Sequence, residues 1–382
     1  MNKLIVFFYI LVLITDSSSK ILHFNISTYE LQNTDIRHLE LFNNNIPIYK
    51  SFNLRVLING CFGNPPQCSK MKLSTSNSLT WVADKSVNEE GFDKTKSNSY
   101  NELHRELTIK EKKSFIQGLL VSDTFSLGNF RVNYFPFILS QSKEELYDEY
   151  TGALGLAYQY IQPEYSFLAH LYEENLISEE SFYVKYSKKE EKGDIYFGGI
   201  PEEDVIEIKK KKYKMKTCPL LATKNENDLN DRWECEVKGI YMFFQFTEEP
   251  LYILINDRVS FNLSSNINLV PSRIFDILVH FYLKDYFDTE ICRLVHTGYF
   301  HTIQCYSDLE PQYLGSINYI IGKYSIKFKG EELFRYKAGS YISTIAKHSS
   351  LDTFVFGYDF FDKFNVYFNK KDNYVGWVAK DF

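Results

Sequence analysis

The sequence predicts a mostly β protein built as two related lobes, and three observations lead there. The chain has 382 residues, more than one compact core holds. Most of it reads as short apolar or alternating runs cut by Gly, Pro, Asn or Ser, among them Val56–Ile58, Met71–Leu73, Thr80–Val82, Gly118–Phe125, Phe182–Tyr186 and Ile195–Phe197. There is also a weak internal repeat. Leu73-Ser-Thr-Ser-Asn77 echoes Leu263-Ser-Ser-Asn266, and each is followed downstream by two apolar residues and a glycine, Ala153-Leu-Gly155 and Val355-Phe-Gly357. One duplicated β unit produces that pattern.

Composition supports two packed cores. Apolar residues make up 44% and charged residues 24%, which excludes a disordered chain. Aromatics reach 17%, which a β-rich interior accommodates. The net charge of −6 is mild for this length and gives no reason to expect nucleic acid as a partner. Helical patterns are few: Ser166–Glu173, and Pro271–Tyr286 with its proline in the first turn. The charged stretch Pro201–Lys216 is the expected lobe boundary, dividing lobes at 49–205 and 206–382. Its lysine run, Lys209–Lys212, reads as a solvated strand edge.

The N-terminus has the order of a secretory signal peptide over residues 1–19: Lys3, the apolar run Leu4–Ile14, then Ser17, Ser18 and Ser19. The run is short for a membrane span, and no other stretch is long and apolar enough. The expectation is a secreted, monomeric protein with no membrane contact after signal cleavage. A short segment, 20–48, precedes the first lobe. Six cysteines fit an oxidising compartment. Neighbourhood along the chain suggests Cys61 with Cys68, Cys218 with Cys235, and Cys292 with Cys305, although six cysteines admit other pairings. No Cys-x-x-Cys pair or His cluster suggests zinc, so neither metal nor cofactor is expected. Asn25-Ile-Ser27 is a glycosylation sequon in an exposed place. Asn262-Leu-Ser264 is another, expected in buried chain and therefore unused.

Gly63-Asn-Pro-Pro-Gln67, followed by Ser74-Thr-Ser-Asn-Ser-Leu-Thr-Trp-Val82, resembles the first active-site segment of pepsin-like aspartic proteases, Gly-Thr-Pro-x-Gln and then Asp-Thr-Gly-Ser-Ser-x-x-Trp-Val. Thr151-Gly-Ala-Leu-Gly-Leu-Ala-Tyr158 and Gly193-Asp-Ile-Tyr-Phe-Gly-Gly199 are similar to two further first-lobe motifs of that family. In the second half, Ser264-Ser-Asn-Ile-Asn-Leu-Val-Pro271 resembles Asp-Ser-Gly-Thr-Ser-Leu followed by Pro. Phe354-Val-Phe-Gly-Tyr-Asp-Phe-Phe361, Val366-Tyr-Phe368 and Val375-Gly-Trp377 resemble the closing series. The resemblance runs from about Tyr49 to the C-terminus. It implies a bilobal pepsin-like fold, two β-barrel-like lobes around a central cleft.

The resemblance also implies what is missing. The family's reaction uses two carboxylates that share one proton, because like charges so close cannot both ionise. One takes the proton of the attacking water. On this reading Ser74 and Ser264 occupy the two aspartate positions, and no residue is expected to be catalytic. A serine hydroxyl is a poor general base, and losing one general base costs roughly 10²–10⁴ in rate. Nor do the eight histidines offer a base that would turn either serine into a nucleophile.

The supporting residues are better preserved. Thr75 and Ser265 match the hydroxyls that cross-bond the two site loops, Gly155 and Gly357 the glycines beneath them, and Trp81 a core tryptophan. Ser76 and Asn266 replace two glycines, which puts the loop shape at Ser76 in question. Glu111 stands where the family places its flap tyrosine, beside Lys112 and Lys113. Three functions compete: a cleft that binds an extended peptide or protein partner without cutting it, an aspartic-type endopeptidase with an atypical site, and a secreted structural or storage protein. The first is expected.

Overall fold

The computed structural model describes residues 20–30, 54–111, 114–142, 150–158, 165–187, 190, 192–211, 214–221, 232–244, 249–265, 267–297, 300–337, 339–349 and 353–380. The expected signal peptide lies outside them, as do Lys112, Lys113, Lys212 and Asn266.

The described residues are mostly β. In the first half the strands are β1 (Leu22–Glu30), β2 (Leu54–Phe62), β3 (Gln67–Ser74), β4 (Trp81–Ala83), β5 (Asn101–Glu111), β6 (Ser114–Leu127), β7 (Phe130–Ser140), β8 (Gly152–Gly155), β9 (Ser181–Ser187) and β10 (Lys192–Phe197). The second half has β11 (Lys216–Pro219), β12 (Glu234–Phe243), β13 (Leu251–Phe261), β14 (Asn268–Leu269), β15 (Cys292–Thr297), β16 (Phe300–Tyr306), β17 (Ser316–Ile321), β18 (Tyr324–Lys329), β19 (Phe334–Lys337), β20 (Ser340–His348), β21 (Phe354–Phe356), β22 (Phe364–Asn369) and β23 (Tyr374–Ala379). Side-chain alternation explains why such segments become strands. In β18, Ile326 and Phe328 point into the core while Ser325, Lys327 and Lys329 face solvent.

The two halves repeat one topology. The first sheet contains the run β3-β8-β4-β7-β6-β5 and the second the run β13-β21-β14-β20-β16-β15. Strand directions agree at each step. β3–β8 and β13–β21 are parallel, β4–β8 and β14–β21 antiparallel, β4–β7 and β14–β20 parallel. The outer hairpins β5–β6 and β15–β16 close each run. The duplication that the sequence only hints at therefore extends over six strands in each sheet.

The halves are also joined. β22 lies beside β9, with Val366 opposite Val184, and β23 and β11 extend the same sheet. Leu22–Glu30, within the segment expected ahead of the first lobe, is a strand of this sheet, paired with β10 and β2. Trp233 is buried between Phe182, Phe368 and Tyr158, and its indole N–H donates to Leu156 O at 2.7 Å. Lys380 Nζ donates to Tyr186 O in β9, to Phe361 O at 2.5 Å and to Asp362 O at 2.8 Å.

Helix α1 (Phe167–Glu173) forms as expected. Helix α2 (Glu202–Lys210) does not match the expected strand edge, because Lys209 and Lys210 lie in its last turn. The cause is readable in retrospect: Pro201 at the N-cap, three acids in the first turn and lysines in the last suit the helix dipole. The expected second helix is broken into α3 (Ser272–Ile277), a π turn at Leu278–Tyr282 and α4 (Lys284–Asp288). Helix α5 (Tyr358–Lys363) follows Gly357. Three disulfides, Cys61–Cys68, Cys218–Cys235 and Cys292–Cys305, join the neighbouring cysteines.

Candidate functional site

The site lies where the loop after β3 meets the loop after β13. Each of these strands runs parallel to a short strand that ends at, or just before, a glycine. In the first half, Leu73 pairs with Leu154 and Ser74 with Gly155. In the second, Phe261 pairs with Phe356, which places Asn262 beside Gly357, and Asn262 N–H donates to Phe356 O at 2.9 Å. The glycines are required by close approach: a Cβ on Gly155 would meet Ser78 O at 2.4 Å, and one on Gly357 would meet Ser265 O at 2.4 Å.

This register corrects the sequence reading. Asn262, not Ser264, is the counterpart of Ser74. Three further contacts agree. Gly155 N–H donates to Thr80 Oγ1 (3.2 Å) and Gly357 N–H to Asn268 Oδ1 (2.9 Å); Thr80 lies six residues after Ser74 and Asn268 six after Asn262. Trp81 pairs with Ala153 as Leu269 pairs with Val355. Thr75 Oγ1 donates to Phe261 O (3.0 Å) and accepts from Leu263 N–H (2.9 Å), so it brackets residue 262. The sequence misleads because a slip of two residues along a strand keeps each side chain on its own face. Polar residues fill both registers, and only the pairing partner separates them.

The correction moves other roles too. Leu263 is the counterpart of Thr75, Ser264 of Ser76, and Ser265 of Asn77. Ser265 therefore does not cross-bond the lobes as expected. Its hydroxyl donates to Ile267 O (2.7 Å), within its own loop, much as Asn77 Oδ1 accepts from Leu79 N–H (3.1 Å). The reverse cross-lobe contact comes from Ser264, whose Oγ donates to Leu73 O at 2.9 Å. Ser76 and Ser264 both fall outside the residues with positive φ, so these former glycine positions need no unusual backbone.

The floor of the site is thus neutral. Ser74 is fully buried, with its Oγ 3.3 Å from Ser76 Oγ. Asn262 is half-buried, and its Oδ1 accepts from Ser264 N–H at 2.8 Å. Neither side chain titrates in the range where a general base works. Among the described residues no group of three or more His, Cys, Asp or Glu is placed to hold a metal ion.

Above this floor stands the β5–β6 hairpin. Glu111 is the last residue of β5 and pairs with Ser114 across the turn. Trp81 is buried under the hairpin's base with Leu107, Ile109, Ile116, Leu120 and Tyr150. Lys72 is buried there too, with its Nζ 5.6 Å from the centroid of the Tyr150 ring. Asn25 is exposed on β1.

Comparison with known proteins agrees with this geometry. The eukaryotic aspartyl protease family profile matches residues 59–242. An aspartic proteinase from Irpex lacteus superposes with a TM-score of 0.66, covering 86% of this chain and 95% of that one at 14% identity. The chain has the fold of a pepsin-like aspartic proteinase. Chymosin of Callithrix jacchus is 29% identical over 149 residues, 36% of this chain. Pregnancy-associated glycoprotein 1 of Sus scrofa is 29% identical over 150 residues, also 36% of this chain. Each match spans 39% of the relative's length. In this fold Ser74 and Asn262 stand at corresponding places on the two site loops. No helix among the described residues is long and apolar enough to cross a membrane.

Proposed function

We propose that this protein is a secreted, non-proteolytic member of the pepsin-like family, and that its interlobe cleft holds an extended peptide or protein segment without cleaving it. The observation that carries this reading is the pair Ser74 and Asn262 on paired loops whose supporting contacts are intact. A serine and a carboxamide cannot share a proton as two carboxyls do, and neither takes a proton from water near neutral pH. The backbone frame keeps its inter-lobe bonds, so the cleft retains its shape after the reaction is lost. An extended ligand suits a cleft walled by strands, where main-chain groups and alternating side-chain pockets recognise it. The signal-like N-terminus and three disulfides support secretion.

The test is digestion of an unfolded protein substrate between pH 2 and 7. The parent is expected to show no pepstatin-sensitive cleavage. The informative revertant is Ser74→Asp with Asn262→Asp, which restores both acids, whereas Ser74→Asp with Ser264→Asp should restore nothing. Pepstatin-sensitive cleavage by the parent would sink the proposal. The competing reading, an endopeptidase with atypical chemistry, has the family match in its favour and is decided by the same assay.

A further inference from the structure

In the second half, the β15–β16 hairpin takes the place that β5–β6 takes in the first. Next to its turn two histidines face each other, His296 on β15 and His301 on β16. Their ring centroids are 4.4 Å apart, with planes inclined at 49°. The pairing class follows from the same ladder. Cys292 and Cys305 are directly opposite, with Cα atoms 4.0 Å apart, which marks a non-hydrogen-bonded pair, the class in which opposed side chains approach most closely. Leu294 opposite Ile303 is the next pair of that class, and His296 opposite His301 the one after. His296 is exposed and His301 partly so, so ions have access.

We propose that His296 and His301 chelate one divalent transition-metal ion of the imidazole-preferring class, copper, nickel or zinc. Neutral imidazole is the ligand these ions favour, and two rings held side by side by an antiparallel ladder lose little freedom on binding. Burial, and then His296 and Lys347 beside it, hold His301 below its ordinary pKa, with Asp276 acting in the opposite sense. Lys347 lies opposite His301 on β20, and its ammonium is balanced by Asp276 of α3, with Nζ to Oδ1 at 2.9 Å. Two protein ligands leave the other coordination positions open to water or to donors from outside, so the ion exchanges rather than staples the fold.

The test is isothermal titration of the full chain, carrying no polyhistidine tag, with copper sulfate and then with nickel and zinc chlorides. One equivalent of copper should bind, tightest of the three. His296→Ala and His301→Ala should each weaken copper binding by more than about 10-fold, since loss of a mere supporting partner already costs roughly 10–100-fold. Lys347→Met removes the neighbouring positive charge and should tighten it, while His23→Ala should leave it unchanged. The electron paramagnetic resonance spectrum of the copper form should show two nitrogen donors in the parent and one in each single variant. Undiminished copper affinity in the double variant, or no uptake by the parent, overturns the proposal.

Discussion

The two lobes share a strand plan, yet their site loops hold each other by different means. The first lobe uses Thr75, whose single hydroxyl both donates to Phe261 O and accepts from Leu263 N–H. The second lobe has Leu263 at the corresponding place and reaches back through Ser264 instead, with one bond to Leu73 O. Ser74 and Asn262 are neutral at the two loop tips, while a bond runs in each direction between the loops. The frame is therefore held by backbone register and by hydroxyls at or near the buried loop bases.

Substitutions can break or sharpen this comparison. The largest effect should come from Trp233→Ala, which removes the buried indole packed on Phe182 and Phe368 and leaves Leu156 O without its donor. A loss of about 3–5 kcal/mol is expected from the emptied volume. Thermal unfolding should show a fall in Tm, and a near-parental Tm would mean that the halves do not depend on this peg. Next is the pair Thr75→Val and Ser264→Ala. Thr75→Val strands a buried donor and a buried acceptor at about 1–3 kcal/mol each. Ser264→Ala removes one part-buried bond, at about 0.5–1.5 kcal/mol. Equal losses in denaturant titration would refute the asymmetry. The smallest effect concerns pH. Burial lowers the pKa of Lys380 from 10.5 to about 8. Between these values the unfolded chain binds the proton that the folded one has released, so stability rises with pH across that window. Lys380→Met should flatten the rise between pH 8 and 9.5; an unchanged slope would show that the three carbonyls keep the ammonium charged.

Much of this was legible in the sequence, and the misses have physical causes. The β character followed from alternation and turn residues, and Trp81 as a core residue from the family resemblance. The cysteine pairs followed from proximity along the chain, and two of the pairs lie face to face, each on its own hairpin. The first site loop was fixed by the Gly-Asn-Pro-Pro-Gln segment ahead of it. The second had no such anchor, and the two-residue ambiguity between Asn262 and Ser264 could be settled only by the partner strand, remote in sequence. The spacing to Pro271 was the one available signal. Helix α2 was missed because its lysines were weighed without the acids of its first turn. The five-residue separation of His296 and His301 matches no helical ligand spacing, although on a hairpin it puts the rings opposite each other.

β22 sits beside β9, although most of the second lobe is synthesised between them. Until those late residues arrive, Ser181–Ser187 presents a bare edge with unmet backbone donors and acceptors, an open template for stray chains. A nascent chain of this design is exposed to misassembly during its own translation, and loop-closure entropy makes the closing step slow. Its yield should therefore depend on whatever shields that edge in the compartment where it folds.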